Sequence, residues 1–193
     1  MKETWINSLT DAQVALEALI ANDKLISQCS ALGDALVKCF KDGNKVMICG
    51  NGGSHCDALH FAEEWTGRYR GNRKALPVMA LGEAAHTTCV ANDFGFEHVF
   101  SRQVDAFGKK GDLLISLTTS GNSPNVLKAL ESAKNLGVST WCLLGKDGGK
   151  ALSQSEHSIV VPGKTTDRIQ ELHMLILHIS IEHAERILFP ENY

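Results

Sequence analysis

Two side chains capable of acid–base chemistry, His60 and Glu64, stand four residues apart in the segment HFAEE. Four residues advance a helix by about 400°, so the two side chains lie within about 40° of each other on one helical face. A carboxylate in such a pair can accept a proton, an imidazole can exchange one, and both can ligate a metal ion. A surface ion pair is the simpler alternative for two residues alone.

A later helical segment carries possible partners for this pair. Gln170 and His178 are eight residues apart, which places them about 80° apart around a helix and two turns removed. His178 lies in the apolar segment LILHIS, where an imidazole costs free energy unless its nitrogens find partners. His173 lies about 140° from His178 around the helix, and we expect it to pack elsewhere. The sequence does not show whether the two helices meet.

The segment Asn51-Gly52-Gly53-Ser54 follows an apolar run and opens the helix that carries His60. Adjacent glycines let the backbone approach a ligand and adopt positive φ, and the N–H groups at a helix start attract anions. The segment is neither a spaced GxGxxG fingerprint nor a Walker loop. It predicts an anion-binding turn, with a tight structural turn as the alternative.

A second polar loop, TTSGNSP, follows another apolar run and carries Thr118, Thr119, Ser120 and Ser123. Ser123 is suited to cap a helix and Pro124 to occupy its first position. Clustered hydroxyls beside a helix N-terminus predict a phosphate cradle without lysine or arginine. Neutral donors suit a sugar phosphate, which must bind and leave. A Ser/Thr-rich capping loop is the alternative.

The order of elements predicts an α/β fold. Residues 5–40 have the apolar spacing of two helices that break near Asn22 and Asp23, and Gly43 is a stop signal. Short apolar runs then alternate with helical stretches, which favours a parallel sheet covered on both faces. The predicted strands are Val46–Cys49, Val78–Leu81, Leu113–Leu117, Ser139–Leu144 and, more weakly, Ser158–Val161.

A long final helix is predicted over Asp167–Leu188, with Asp167 as its N-cap and Gln170 in the fourth place of a capping-box pattern. Its core, IQELHMLILHISIEHA, is apolar nearly all round, which indicates burial on more than one side and a subunit interface. We therefore predict one domain over residues 1–193, with helices over 1–42 and an α/β core over 43–193.

Composition excludes several classes of protein. The chain has 193 residues, is 44% hydrophobic and carries a net charge of -3, so no basic surplus indicates nucleic acid or a membrane surface. Neither a signal peptide nor a membrane span is expected. The 6 cysteines form no CxxC pair, and we expect buried, reduced thiols in a cytoplasmic protein.

Five segments together resemble the sugar isomerase (SIS) domain family, and within it the phosphoheptose isomerase subgroup. The similarity covers nearly the whole chain. It implies a doubly wound, five-stranded parallel sheet with an N-terminal helical extension, in a homotetramer whose core holds the terminal helices. The segments are CGNGGSHCDALHFAEEWTGRYR, ANDFGFEHVFSRQV, TTSGNSPNVLKAL, LLGKDGGK and DRIQELHMLILH.

The resemblance implies interconversion of sedoheptulose 7-phosphate and glycero-manno-heptose 7-phosphate through a cis-enediol, at the start of heptose synthesis for lipopolysaccharide or surface glycans. It makes Glu64 the general base and His178 the partner acid or base. The implied substrate contacts are Asn51, Gly52, Gly53, Ser54, His60, Glu64, Arg68, Asn92, Asp93, Thr118, Thr119, Ser120, Ser123, Asp167 and Gln170.

The resemblance also implies one zinc ion per subunit, held by His60, Glu64, Gln170 and His178. A carboxylate bound to metal is a poorer base. Either the metal moves during turnover, or it takes part by polarising the substrate oxygens. Both alternatives stand at this point.

Two further functions are compatible with the family. The C-terminal LFPENY resembles the end of a non-catalytic SIS protein that binds the replication initiator. Such relatives lack the pair of His60 and Glu64, so its presence favours the enzyme. A sugar-phosphate-sensing regulator is disfavoured, because no basic helix-turn-helix precedes the sheet.

Overall fold

The computed structural model describes residues 1–193 and contains one sheet of five parallel strands in the order β2-β1-β3-β4-β5. This confirms the predicted doubly wound α/β fold. Strands buried on both faces are nearly continuous apolar runs, as the sequence has them. The strands are β1 (Val46–Gly50), β2 (Val78–Ala80), β3 (Leu113–Thr118), β4 (Ser139–Leu144) and β5 (His157–Val160).

Helices cover both faces of the sheet, with 3₁₀ turns at Phe96–His98 and Pro190–Asn192. None of the helices has the length and apolar character needed to span a bilayer. They are α1 (Lys2–Ile20), α2 (Asp23–Lys41), α3 (Gly53–Thr66), α4 (Ala84–Phe94), α5 (Ser101–Phe107), α6 (Pro124–Leu136), α7 (Ala151–Gln154) and α8 (Thr166–Leu188).

The ends of the first two helices agree with the sequence, whereas the start of α8 does not. Asn22 caps α2 by accepting a hydrogen bond from the Leu25 backbone N–H at 3.1 Å. The N-cap of α8 is Thr165, so the prediction of Asp167 as N-cap was wrong. Because α8 begins one residue earlier, Asp167 lies inside its first turn, where a negative charge still interacts favourably with the free N–H groups.

Alternating side chains of the strands feed two separate cores. On β1, Val46 and Ile48 pack into a cluster of 28 buried residues with α1, α2, α3 and α8. Met47 and Cys49 point to the other face, into a cluster of 16 residues with α4, α5 and α6. This follows from the two-residue repeat of a strand. The helices over residues 1–42 are therefore part of the packing on one sheet face.

The strand order sets where a ligand can bind. Chain connections leave the sheet in opposite directions from β1 and β3, which are neighbours. In open α/β sheets the crevice at the carboxyl ends of two such strands is the usual ligand site. The Asn51–Ser54 loop follows β1 and the loop over residues 119–123 follows β3, so both polar loops face this crevice.

The cysteine prediction holds only in part. All six thiols are free, and burial raises the pKa of Cys49 to about 12. The expectation of burial was wrong for Cys56 and Cys89, which are exposed on α3 and α4, and Cys29 is only partly buried. Cys56 and Cys89 face outward on helices, and their sequence neighbours are largely polar, unlike the apolar runs that hold Cys49 and Cys142. The buried thiols are Cys39, Cys49 and Cys142.

An unpartnered apolar face lies on α1. Trp5, Ile6 and Leu9 are 73%, 53% and 64% exposed, and Ile179 of α8 is 54% exposed. Scattered exposed apolar residues are common, but several on one terminal helix indicate a contact surface.

Replacement of Leu36 by Ala tests whether the N-terminal helices belong to the same folding unit as the sheet. Leu36 is fully buried among α2 and its neighbours, so the substitution should lower the free energy of unfolding by about 2–5 kcal/mol. Urea denaturation followed by circular dichroism measures this. Lys38→Ala, at an exposed position of the same helix, should change it by less than about 0.5 kcal/mol. A separate early transition in Leu36→Ala, with the main transition unmoved, would contradict a single domain.

Candidate functional site

A cavity of about 270 Å³ lies between the two polar loops. The starts of α3, α6 and α8 all reach it, through Gly53, Ser123 and Thr166. Three helix N-termini present N–H groups and positive dipole ends to one place, which suits an anion. No lysine or arginine lines it. The lining residues are Asn51, Gly52, Gly53, Ser54, Leu117, Thr118, Thr119, Ser120, Ser123, Thr166 and Gln170.

Glycine is needed at two positions of the first loop for different reasons. Gly52, the N-cap of α3, has φ 57°, which other residues adopt only with strain. A side chain on Gly53 would place its Cβ 2.7 Å from Oε1 of Gln170, too close for any real contact. The first glycine makes the turn, and the second lets Gln170 of α8 approach the start of α3.

A reciprocal pair of amides ties the two loops together. Asn51 Nδ2 donates to Asn125 Oδ1 at 2.9 Å, and Asn125 Nδ2 donates to Asn51 Oδ1 at 2.8 Å. In the second loop the Thr118 hydroxyl accepts from the Gly121 backbone N–H at 3.2 Å. The walls of the cavity are therefore fixed by hydrogen bonds before any ligand enters.

The His60, Glu64 and His178 side chains form a second cluster, where α3 packs against α8. Oε1 of Glu64 lies 3.5 Å from Nε2 of both His60 and His178. The two imidazole rings are edge to face, with centroids 5.1 Å apart. Only 10% of the Glu64 side chain is exposed, and its Oε2 is buried without a hydrogen-bond partner. The expected proximity of His60 and Glu64 is confirmed, and the structure adds the contact with His178.

Burial shifts the acid–base properties of this cluster. Loss of solvent raises the pKa of Glu64, an effect that His60 opposes. Burial, with the charges of His60 and Arg70, lowers the pKa of His178. A carboxylate with a raised pKa is a stronger base, and an imidazole with a lowered pKa is largely neutral at pH 7. The cluster thus places a strengthened base beside a neutral proton donor and acceptor.

The three side chains fit a metal ion. Their ligand atoms all lie within 4.8 Å of one another. Zinc bonds of about 2.0–2.2 Å give a tetrahedron edges of about 3.3–3.6 Å. The two distances of 3.5 Å to Glu64 match such edges. Two nitrogens and one oxygen from protein leave one position for another ligand, which is the pattern of catalytic zinc sites.

Known proteins resemble this chain over nearly its whole length. The model of the SIS domain family matches residues 9–145. A phosphoheptose isomerase of Fusobacterium nucleatum is 53% identical over 92% of this chain and 92% of its own, and one of Vibrio cholerae is 50% identical over 93% and 95%. The chain belongs to the phosphoheptose isomerase family of SIS domain proteins.

Solved structures of the phosphoheptose isomerase family share the fold over nearly the whole chain. A structure from Neisseria gonorrhoeae has a TM-score of 0.85 at 35% identity and covers 95% of this chain and 98% of its own. One from Francisella tularensis has a TM-score of 0.87 at 34% identity, covering 96% and 99%.

Gln170 lines the cavity. Its Nε2 is 3.4 Å from the Ser54 hydroxyl. Eight residues of α8 separate Gln170 from His178, a rise of about 12 Å. Along α3, Ser54 and Glu64 are about 15 Å apart by the same measure. Three of the four ligands that the family resemblance implies have ligand atoms within 4.8 Å of one another, and the fourth, Gln170, contacts the Ser54 hydroxyl.

Four other predicted site residues lie at the surface outside the cavity and the cluster. Asn92 and Asp93 are exposed on α4, where the Asn92 amide donates to Asp93 at 2.7 Å. Arg68 is exposed just after α3. Asp167 is exposed in the first turn of α8, and hydrogen bonds from Thr165 and Arg168 lower its pKa to about 2. Their predicted contacts with substrate stay predictions.

The structure adds residues that the sequence did not single out. The Tyr69 ring stacks on His178 at 6.0 Å between centroids, and Thr166 lines the cavity. Asn125 pairs with Asn51. Their partners are distant in sequence, so no local spacing could have indicated them. A larger cavity of about 560 Å³ lies along α6 beside Glu97 and Ser153, and contains none of the site residues.

His173 has a structural position, as its place on the helical wheel predicts. It is fully buried, and Nε2 lies 3.1 Å from the Leu144 carbonyl oxygen, to which it can donate. Nδ1 is buried without a partner, so protonation would leave an unpaired charge inside the protein. Burial lowers the pKa of His173 to about 4.

This predicts a specific dependence of stability on pH. Because the pKa of His173 is lower in the folded state, its contribution is fully present above about pH 6.5 and is lost as the pH falls toward 4. His173→Gln should flatten the fall in unfolding free energy between these values by about 1.4 kcal/mol per pH unit. Urea denaturation at several pH values measures the slope, with the more exposed His98→Gln as control. Equal slopes in the parent and His173→Gln would contradict a neutral buried His173.

Proposed function

We propose that this chain is an isomerase that interconverts D-sedoheptulose 7-phosphate and D-glycero-D-manno-heptose 7-phosphate. The observation that carries the proposal is the buried Glu64 carboxylate, 3.5 Å from Nε2 of both His60 and His178. Relatives named phosphoheptose isomerase at about 50% identity over nearly the full length support it. The reaction is the first step of ADP-heptose synthesis for lipopolysaccharide.

Glu64 is the general base. Aldose–ketose exchange removes a proton from the carbon beside a carbonyl and returns it to the neighbouring carbon, through a cis-enediol. The Glu64 carboxylate takes this proton from C2 of the aldose and delivers it to C1, and the reverse reaction exchanges these roles. Desolvation, which raises the pKa of Glu64, strengthens it for this transfer.

His178 moves the second proton. Conversion of the enediol requires a proton to pass between the oxygens at C1 and C2, and a neutral imidazole can donate and accept one. The lowered pKa of His178 keeps that imidazole neutral. His60 borders the same carboxylate from the other side and lines the reacting end.

One zinc ion per subunit fits His60, Glu64 and His178, and when bound it would polarise a substrate oxygen. Oε1 of Glu64 faces both imidazoles, and Oε2 is buried without a hydrogen-bond partner. Because a carboxylate bound to zinc is a poorer base, Glu64 would take up the proton after the ion or the carboxylate has shifted. Gln170 is the proposed fourth ligand, and its amide, which contacts the Ser54 hydroxyl in this structure, would turn toward the cluster to reach the ion.

The cavity holds the phosphate. Neutral hydroxyls, backbone N–H groups and three helix N-termini bind a dianion without fixing it permanently. Gln170 and Ser54 at its edge contact the sugar chain. The remaining substrate contacts of the proposal are Asn51, Gly52, Gly53, Arg68, Asn92, Asp93, Thr118, Thr119, Ser120, Ser123 and Asp167.

The enzyme works as a homotetramer. The exposed apolar face of α1, with Trp5 and Leu9, supports burial against other copies. Six unpaired cysteines support a reducing compartment, and the proposal locates the reaction in the cytoplasm.

A non-catalytic SIS protein that binds the replication initiator is the second candidate, suggested by the C-terminal LFPENY. The presence of His60, Glu64 and His178 in one desolvated cluster favours the enzyme, since protein binding needs no such set. A net charge of -3 and the absence of a basic arm before the sheet disfavour a nucleic-acid-binding function.

Replacement of both Ser120 and Ser123 by Ala tests the phosphate cradle. The double variant should raise KM at least tenfold while kcat falls by less than threefold, because the hydroxyls hold the non-reacting end. Ser123 makes no side-chain cap hydrogen bond to α6, so the fold should survive. Steady-state kinetics measure both constants, with Ser27→Ala on α2 as control. An unchanged KM would remove the hydroxyls from substrate binding.

Glu64→Gln tests the base. The variant keeps the shape of the side chain and removes proton acceptance, so kcat should fall by at least about 10²-fold. The adjacent Glu63, 65% exposed, offers a matched control: Glu63→Gln should retain kcat within threefold. His178→Gln should lower kcat as Glu64→Gln does. Full activity in Glu64→Gln would exclude Glu64 as the base.

Light scattering tests assembly. The parent protein should have the mass of four chains at micromolar concentration. Trp5→Glu combined with Leu9→Glu places charges on the exposed apolar face of α1 and should yield smaller species. Gln13→Glu, which adds one charge at another exposed position of α1, should remain tetrameric. A parent protein of one-chain mass would refute the tetramer.

A further inference from the structure

A fully buried ion pair joins the segment after α3 to α8. Nε of Arg73 donates to Oε1 of Glu185 at 2.7 Å, and both side chains are 0% exposed. Removing two charges from water is costly, and the cost is offset only where the geometry is good and the remaining polar atoms are satisfied. The other contacts of Arg73 therefore indicate what the pair does.

The remaining nitrogens of Arg73 bind the C-terminal end of α3. Nη2 donates to the Glu64 carbonyl oxygen at 2.5 Å, and Nη1 donates to the Trp65 and Gly67 carbonyl oxygens at 2.7 and 3.2 Å. The last carbonyls of a helix have no partner within it, and an arginine can supply one. Arg73 therefore holds the backbone of Glu64, the residue whose carboxylate contacts His178.

The contacts on α8 follow one helical face. His178, Glu182 and Glu185 are spaced by four and three residues, so they lie above one another. Glu64 contacts His178 at 3.5 Å, and Nη2 of Arg70 lies 2.8 Å from Oε2 of Glu182. The pair of Arg73 and Glu185 completes the row. Only this last contact is fully buried.

The C-terminal segment covers the buried pair. The Tyr193 hydroxyl donates to Oε2 of Glu185 at 3.0 Å, so both oxygens of this carboxylate are satisfied. The Asn192 amide donates to the Asn72 carbonyl oxygen at 3.1 Å, in the same loop as Arg73. In this chain, Asn192 and Tyr193 of the C-terminal LFPENY contact the loop that carries Asn72 and the Arg73–Glu185 pair.

We propose that Arg73 is a positioning residue for the Glu64–His178 contact: its buried guanidinium fixes the last turn of α3 to Glu185 of α8. The inference rests on the proposed function for its catalytic consequence. The contact has little tolerance, because metal ligation and proton transfer both fail when the groups are displaced by about 1 Å. Arg73 touches no substrate in this scheme and acts through the backbone of α3.

Arg73→Lys and Glu185→Gln test the proposal. Lysine keeps the charge and loses the fork that reaches the carbonyls of Glu64, Trp65 and Gly67 at the end of α3, and glutamine keeps the shape and loses the charge. Asp112→Asn is the matched control: Asp112 is also a fully buried, ion-paired carboxylate, and its side-chain partners, Lys45 and Lys109, belong to neither α3 nor α8. Zinc affinity by competition with a chromophoric chelator and kcat are measured well below each melting temperature.

Both test variants should bind zinc at least tenfold more weakly and lose at least tenfold in kcat with KM within threefold. Asp112→Asn should keep zinc affinity and kcat within threefold of the parent protein, even if its melting temperature falls as much as that of either test variant. Equal losses in all three variants, or none in Arg73→Lys and Glu185→Gln, would overturn the positioning role. If the parent protein shows no isomerase activity, the proposed function fails, and zinc affinity alone then decides the role of Arg73.

Discussion

The contact between the buried Glu64 carboxylate and His178 is the interaction on which the rest of this structure depends. It joins α3, which leaves the first strand, to α8, which follows the last. A carboxylate that is 10% exposed costs free energy unless polar partners surround it; the two imidazoles face Oε1, whereas Oε2 has no partner. The same desolvation that makes the position costly raises the pKa of Glu64, and in the proposed mechanism this strengthens Glu64 as a base.

The sheet supplies the other part of the site, which is the cavity between the two polar loops. Its strand order brings the carboxyl ends of β1 and β3 side by side, and helices begin directly beyond both. Backbone N–H groups there create an anion site that needs no cationic side chain. The fold thus supplies both a cavity without cationic side chains, which is the proposed phosphate cradle, and a desolvated His–Glu–His cluster, which is the proposed site of proton transfer.

Much of this could be read from the sequence where the signal is local. The spacing of His60 and Glu64, the glycines after β1 and the hydroxyls before α6 all follow from helix geometry and turn chemistry. The five strands were predicted because buried parallel strands are short apolar runs. The cap of α8 was misplaced because Thr165 and Asp167 are both suitable N-caps, and the sequence does not choose between them. Contacts such as Asn51–Asn125 and Arg73–Glu185 span 74 and 112 residues, so only the tertiary structure reveals them.

The most direct test of the central claim is to follow hydrogen exchange at the reacting carbon. The parent protein, supplied with zinc, is incubated with sedoheptulose 7-phosphate in heavy water, and the aldose product is analysed by nuclear magnetic resonance. A proton carried by Glu64 exchanges with solvent while the enediol persists, so deuterium should appear at C2 of the aldose and be nearly absent with Glu64→Gln. Aldose formed without deuterium at C2, or formed equally well by the variant, would contradict proton transfer through Glu64.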